Sequence, residues 1–159
     1  MKTSTLQAIA EHYSEFPQSH ADGVGHPEIQ EASRALSVAF PDDYREFLTR
    51  YGGGHIGSYA VAGLRKWGSA ANDDWNVVDQ TMHFRSQKWP GTEQWAVFTN
   101  DGSGNPIGFD ESGRIWLSDH DSCEIVGLEL SFEDWVSCWA LDLEEGTNDY
   151  FDRYDWPQT

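Results

Sequence analysis

The stretch whose reading decides the fold is Phe40-Pro41-Asp42-Asp43-Tyr44-Arg45-Glu46-Phe47-Leu48-Thr49-Arg50-Tyr51-Gly52-Gly53-Gly54. Pro41 has no N–H to lose, so it suits the opening of a helix. Asp42 and Asp43 then put negative charge at the positive end of the helix dipole. Tyr44, Phe47, Leu48 and Tyr51 recur at helical spacing, and Gly52 stands where a left-handed cap is needed. A helix therefore fills this stretch and stops at the glycines, where the pattern of the chain changes.

Upstream the pattern is helical. Leu6, Ile9, Ala10 and Tyr13 share one face of a helix over residues 4–16, capped by Ser4 or Thr5 and ended by Pro17. After a polar loop, Gln18–Gly25, Pro27 opens a second helix with Ile29, Ala32, Ser33 and Leu36 on one side. Downstream of Gly54, short strands and turns take over. Ile56–Leu64 reads as a strand interrupted by Gly57 and Gly63. Asn72–Asp74 would cap a fourth helix carrying Trp75, Val78 and Met82, although Val77-Val78 leaves a strand open. Strands are predicted at Trp95–Thr99, Pro106–Phe109, Arg114–Leu117 and Glu124–Leu130. The clusters Asn100–Asn105 and Asp110–Gly113 between them read as hairpin turns, because Gly, Asn and Asp tolerate positive φ. Ser131, with Asp134 three residues on, caps a last helix whose face is Phe132, Trp135, Val136, Trp139, Ala140 and Leu143. Helices, a meander, then a helix predict an α+β fold, in which N-terminal helices and a C-terminal helix pack against a mostly antiparallel sheet. One domain is expected over 1–159, with its core at about 27–143 and a polar, aromatic tail at 146–159.

Composition narrows the function. Of 159 residues, 27 are Asp or Glu and only 10 are Lys or Arg, a formal charge of −17 that six protonated His would not neutralise. Such a surface is repelled by phosphates, which disfavours nucleic acid and anionic membranes as partners. A basic partner is favoured instead, since its approach is accelerated. No apolar run is long enough to span a bilayer, and the N-terminus lacks the unbroken apolar core of a secretion signal. Two cysteines are too few for a disulfide framework. The expectation is a cytoplasmic protein. The 8 Trp supply the large apolar surfaces that a core needs, so wholesale disorder is not expected despite the charge.

Candidate chemistries do not assemble. Asp101-Gly102-Ser103-Gly104-Asn105-Pro106 superficially matches a serine-protease nucleophile loop, but it sits where a hairpin turn is expected. The same loop offers oxygen ligands for calcium, without the closing Glu of an EF-hand. The six His and two Cys form neither HxxxH nor CxxC, so no zinc site is expected. Asp119, His120, Asp121 and Cys123 are the one local cluster, and a small buried cysteine is the plainer reading of a free thiol. Gly52-Gly53-Gly54 follows a helix, whereas a phosphate loop precedes one. No catalytic residue, cofactor or metal is predicted. The remaining feature is the run of acids from Asp119 onward, which is either a solvated face or a surface for a cationic partner with interleaved aromatics as anchors.

Glu28-Ile29-Gln30-Glu31-Ala32, the Phe40–Leu48 helix, Tyr51-Gly52-Gly53-Gly54, Ile107-Gly108-Phe109-Asp110 and Gly113-Arg114-Ile115-Trp116 together resemble the SMI1/KNR4 (SUKH) superfamily. Tyr51 stands where Asn often precedes the glycines. The resemblance covers roughly Pro27 to Leu143 and implies helices over a mostly antiparallel sheet. It also implies an immunity protein, because bacterial members predominantly bind and neutralise toxins, often nucleases. Such a protein would be no enzyme and would act by steric and electrostatic blockade of a basic toxin. The alternative it leaves open is a protein- or peptide-binding scaffold in signalling or cell-wall regulation, as in fungal members. The contact region it suggests is the concave sheet surface or its rim. There the acids flanking the turns, Asp101, Asp110, Glu111, Asp119 and Asp121, are the expected partner-binding residues, with Trp116 as an aromatic anchor.

Overall fold

The computed structural model describes residues 1–68 and 75–143. The helix at the deciding stretch, α3, runs Asp42–Tyr51 with Tyr44, Phe47 and Leu48 buried, and Gly52 takes the left-handed cap at φ 65°. Before it come α1 (Thr3–Glu15) and α2 (His26–Leu36). After it, β1 (Gly54–Ile56) and β2 (Tyr59–Val61) form a hairpin. Helix α4 (Val77–Ser86) then leads to an antiparallel meander of β3 (Ala96–Asn100), β4 (Pro106–Phe109), β5 (Ile115–Ser118) and β6 (Ile125–Gly127). The chain re-enters a helix at α5 (Phe132–Trp135), which continues as a π-helical turn over Val136–Ala140. This is the expected α+β arrangement. Among the described residues no helix is long and apolar enough to cross a membrane.

The core lies between the sheet and the helices α3 and α5. Tyr44, Phe98, Phe109 and Phe132 surround one another with ring centroids 4.8–6.4 Å apart, and Trp135 closes on Phe98 at 4.9 Å. Edge-to-face contacts of this kind add to the burial of large apolar surfaces. Tyr44 is fully buried, and its hydroxyl donates to the Ala62 carbonyl at 2.7 Å. Burial pushes that phenol well above its ordinary range, so it remains a neutral donor. The bond ties α3 to the exit of the hairpin. The hairpin in turn joins the meander, since Ala62 N–H donates to the Phe98 carbonyl (2.7 Å) and Thr99 Oγ1 to the Ala60 carbonyl (2.9 Å).

Several elements differ from the sequence reading. The buried face of α1 is Thr5, Ile9 and Tyr13, rotated away from exposed Ala10. Neither Ser4 nor Thr5 caps it; Thr5 sits inside the helix and its hydroxyl donates to Glu133 Oε1 at 2.9 Å, fastening α1 to α5. The single strand read at Ile56–Leu64 is instead the hairpin, turning at Gly57-Ser58. Helix α4 is capped by Asn76, whose Oδ1 accepts from Val78 and Asp79 N–H, and Met82 points to solvent while Val77, Gln80, Thr81 and Phe84 are buried. The proposed cap Asn72–Asp74 lies outside the described residues, as does the tail 146–159. The last strand is shorter than Glu124–Leu130, because Glu129 adopts φ 52° and breaks its extension. In the last helix Ser131 and Asp134 form the expected capping box. Beyond it, Ser137 Oγ donates back to the carbonyls of Glu133 and Asp134 and competes with the regular ladder. The helix widens there, Cys138 turns inward and Leu143 is left exposed.

The tightest packing is between backbones. A Cβ on Gly63 would fall within the van der Waals radius of the Gly52 carbonyl oxygen, and the neighbouring Leu64 N–H donates to that same oxygen at 2.7 Å. Gly63→Ala is therefore expected to cost ~3 kcal/mol, seen as a Tm lower by about 10 °C in calorimetry. Gly102→Ala, whose added methyl meets nothing within 4 Å, should leave Tm within about a degree. Equal melting of the two variants would contradict this assignment.

Candidate functional site

In an antiparallel meander successive turns lie at opposite ends of the sheet. The predicted partner-binding residues are divided accordingly. Asp101 (β3–β4 turn), Asp119 and Asp121 (β5–β6 turn) share one end, where His120 N–H donates to Asn105 Oδ1 at 3.0 Å and joins the two turns. Asp110 and Glu111 occupy the β4–β5 turn at the other end. Trp116 lies between, in β5.

Most of these carboxylates are already engaged. Asp101 Oδ1 accepts from Ser103 and Asn105 N–H at 2.9 and 2.8 Å, and its Oδ2 accepts from Asn105 Nδ2 at 2.8 Å. Asp119 is buried; its oxygens accept from Asp121 N–H (2.9 Å) and Ser122 Oγ (3.0 Å). Asp110 accepts from the side chains of Ser112 and Trp116 and from the N–H groups of Ser112 and Arg114. Partial burial raises the Asp110 carboxyl, but these four donors outweigh it and hold the group below the usual 3.8. Glu111 and Asp121 are exposed. Trp116 is half-buried, stacked on Trp95 at 6.1 Å with the Arg114 guanidinium 5.5 Å from its ring centre. The acids thus set the turns first and project charge second.

The small charge-bearing cluster is a turn as well. Ligand atoms of Asp119, His120 and Asp121 lie within 4.8 Å of one another. Both Asp119 oxygens are already bonded, and the His120 ring spans Asn105 Oδ1 (2.6 Å) and Asp121 Oδ1 (3.2 Å). Cys123 is exposed, against the expectation of a small buried cysteine that Cys138 alone meets, and its Sγ bonds the His120 carbonyl 3.7 Å away. Ser103 stands exposed in its turn, with Asp101 occupied in holding that turn.

Concave surface lies elsewhere, where two openings meet at His55 in β1. The larger, about 650 Å³, is mainly apolar and is walled by Phe16, Pro17 and Trp67. Trp67 Nε1 donates to His55 Nδ1 at 3.2 Å, and the two rings meet edge to face with centroids 5.9 Å apart. The smaller, about 470 Å³, mixes polar and apolar surface in nearly equal parts and is lined by Tyr59, Gln80, Thr99, Asn100 and Asp101, among others. Gln80 is only 4% exposed, and its Oε1 has no hydrogen-bond partner among the described residues. Burial raises the Tyr59 phenol, and the charge of Asp101 raises it further. Of the expected residues, Asp101 alone lines this opening. Sequence reading missed His55, Tyr59 and Gln80 because they come from two separate segments, the hairpin and α4, with no shared motif. The rotated face of α4 also hid Gln80, which the Trp75/Val78/Met82 stripe leaves off the core.

Little on the surface balances the acids. Arg45 pairs with Asp42, Arg50 with Glu46, Arg65 with Glu28 and Arg114 with Glu129. Arg85 instead donates to the carbonyls of Leu36, Thr92 and Trp95. A sequence comparison matches the SMI1 / KNR4 family (SUKH-1) over residues 23–138. No curated protein matches the chain.

The Asp110 hydrogen bonds make a pH prediction. A lowered folded value means that the carboxylate adds stability above its unfolded 3.8, and that this is lost as pH falls through the folded value. Asp110→Asn should therefore melt below the wild type at pH 7, with the gap closing as the pH falls below about 4. A gap that is constant from pH 7 to 2 would contradict a role for the charge.

Proposed function

Because the chain belongs to the SMI1/KNR4 family (SUKH-1), we propose that it is a non-enzymatic immunity protein, which binds a cognate bacterial toxin and neutralises it by covering its working surface. The observation that carries this reading is the excess of 27 acidic over 10 basic side chains on that fold. A toxin acting on nucleic acid must present a cationic groove to phosphates, and an acidic inhibitor competes for that groove by the same electrostatics. Blockade needs no chemistry from the inhibitor. Asp101, Asp119 and Asp121 at one end of the sheet, with the openings around His55 beside Asp101, form the proposed contact region. Glu111 and Asp110 lie at the far end and contribute to the field, and half-buried Trp116 is the aromatic anchor of this reading. The setting is the cytoplasm, where a nuclease toxin would act.

Affinity capture from the source organism, with identification of the bound protein, tests the reading. The expected result is one basic protein at near-equal amount, lethal when expressed alone and harmless when co-expressed with this chain. Several unrelated, non-lethal partners would instead favour the scaffold role in signalling. Salt reports on the mechanism: between about 0.05 and 0.5 M, the association rate should fall ten-fold or more while dissociation changes little. A salt-insensitive association rate would remove electrostatic steering.

A further inference from the structure

We propose that the smaller opening between the β1–β2 hairpin, α4 and the β3–β4 turn is a receptor for a single arginine side chain of the protein partner, an inference that rests on the proposed function and specifies its contact. Three features on different elements converge there. From α4, Gln80 contributes a buried carbonyl oxygen that accepts no hydrogen bond among the described residues. From the β3–β4 turn, Asp101 contributes a carboxylate whose position is fixed by three hydrogen bonds from Ser103 and Asn105. From β2, Tyr59 contributes a half-buried aromatic ring beside that carboxylate.

The chemistry of the lining selects the occupant. Gln80 lines the opening with its Oε1 closed to solvent, and a turn of the amide would present that acceptor beside the Asp101 carboxylate, so the ligand must bring several donors and a positive charge. A guanidinium has five N–H groups in one plane and can serve acceptors on two elements at once. The Tyr59 ring, packed edge to face on Trp135 with centroids 5.1 Å apart, adds an aromatic wall to the same opening. The opening, about 470 Å³, has room for the head group and its methylenes. An acceptor left buried and unpaired destabilises a fold, so a leucine at position 80 would serve packing better than glutamine. Gln80 therefore makes sense as a binding group. The overall charge of −17 and the acids Asp119 and Asp121 at the same end of the sheet attract a cationic loop toward this opening.

The test uses the full-length chain, labelled with 15N, and titrates it with Nα-acetyl-arginine amide to about 50 mM, the range in which one side chain binds measurably. Nα-acetyl-citrulline amide, of nearly the same shape but neutral, is the comparison probe. The arginine probe should shift the backbone amides of Asn100, Asp101 and Gly102 and the side-chain amide of Gln80, binding roughly ten-fold tighter than the citrulline probe. Gln80→Leu should weaken arginine binding about five-fold while raising Tm, and Asp101→Asn should weaken it at least as much. Equal binding of the two probes, shifts centred on exposed Glu111 and Asp121, or affinity unchanged in both variants would each overturn the proposal. The outcome is separable from the immunity reading. Arginine binding at this opening without any lethal partner would sink the toxin assignment and leave the receptor standing. A neutralised toxin whose affinity ignores both variants would sink the receptor alone.

Discussion

Three backbone segments meet at the end of α3 with no side chains between them, and the placement of the groove depends on that contact. Gly52 ends the helix in the left-handed conformation, and its carbonyl accepts the N–H groups of Leu64 and Arg65 as the chain leaves the hairpin. Gly53 O accepts Ala21 N–H from the loop after α1, and Gly63 O accepts Val77 N–H at the start of α4. A methyl group at position 63 has no space. Through this crossing α3 holds both the hairpin that carries His55 and Tyr59 and the helix that carries Gln80. The Tyr44 hydroxyl on Ala62 adds a second fastening from the same helix. The openings around His55 thus depend on a glycine contact at the base of the hairpin that carries it.

Charge in this protein has two jobs. Asp101, Asp110 and Asp119 organise tight turns by accepting nearby N–H groups, which satisfies backbone donors that a turn would otherwise leave unpaired. Each remains an acid fixed in place, adding to the negative field without the entropic cost of ordering a flexible side chain at the moment of contact. The surface arginines are largely matched by neighbouring acids, so the surplus is carried by the Asp and Glu left over. On the proposed function, a chain built this way would attract its partner over distance with its whole surface and discriminate with the few groups inside its concavity.

Local patterns made much of the fold legible. The Pro-Asp-Asp start and Gly52 stop of α3, the Ser131–Asp134 box and the Asx-rich turns each depend on neighbours a few residues away, and all appear where they were expected. Non-local competition decided the rest. Thr5 is drawn from a capping role into a bond with Glu133, 128 residues later. The π-helical turn coincides with Ser137 bonding back to two carbonyls, which no periodicity reveals. The acids of the candidate surface were visible as composition, but their division between two ends of the sheet needed the topology. Gln80, the residue that gives the concavity its chemistry, was invisible because its meaning lies in a missing partner.

On the proposed function, the partner docks at the concavity around His55 and the turns beside Asp101. Hydrogen exchange on the chain, alone and in complex with the protein it captures, tests this most directly. New protection is expected at the hairpin at 54–61, the first turns of α4, the β3–β4 turn at 99–105 and the β5–β6 turn at 119–124. Protection centred instead on the β4–β5 turn at 110–114, with the hairpin unchanged, would contradict it.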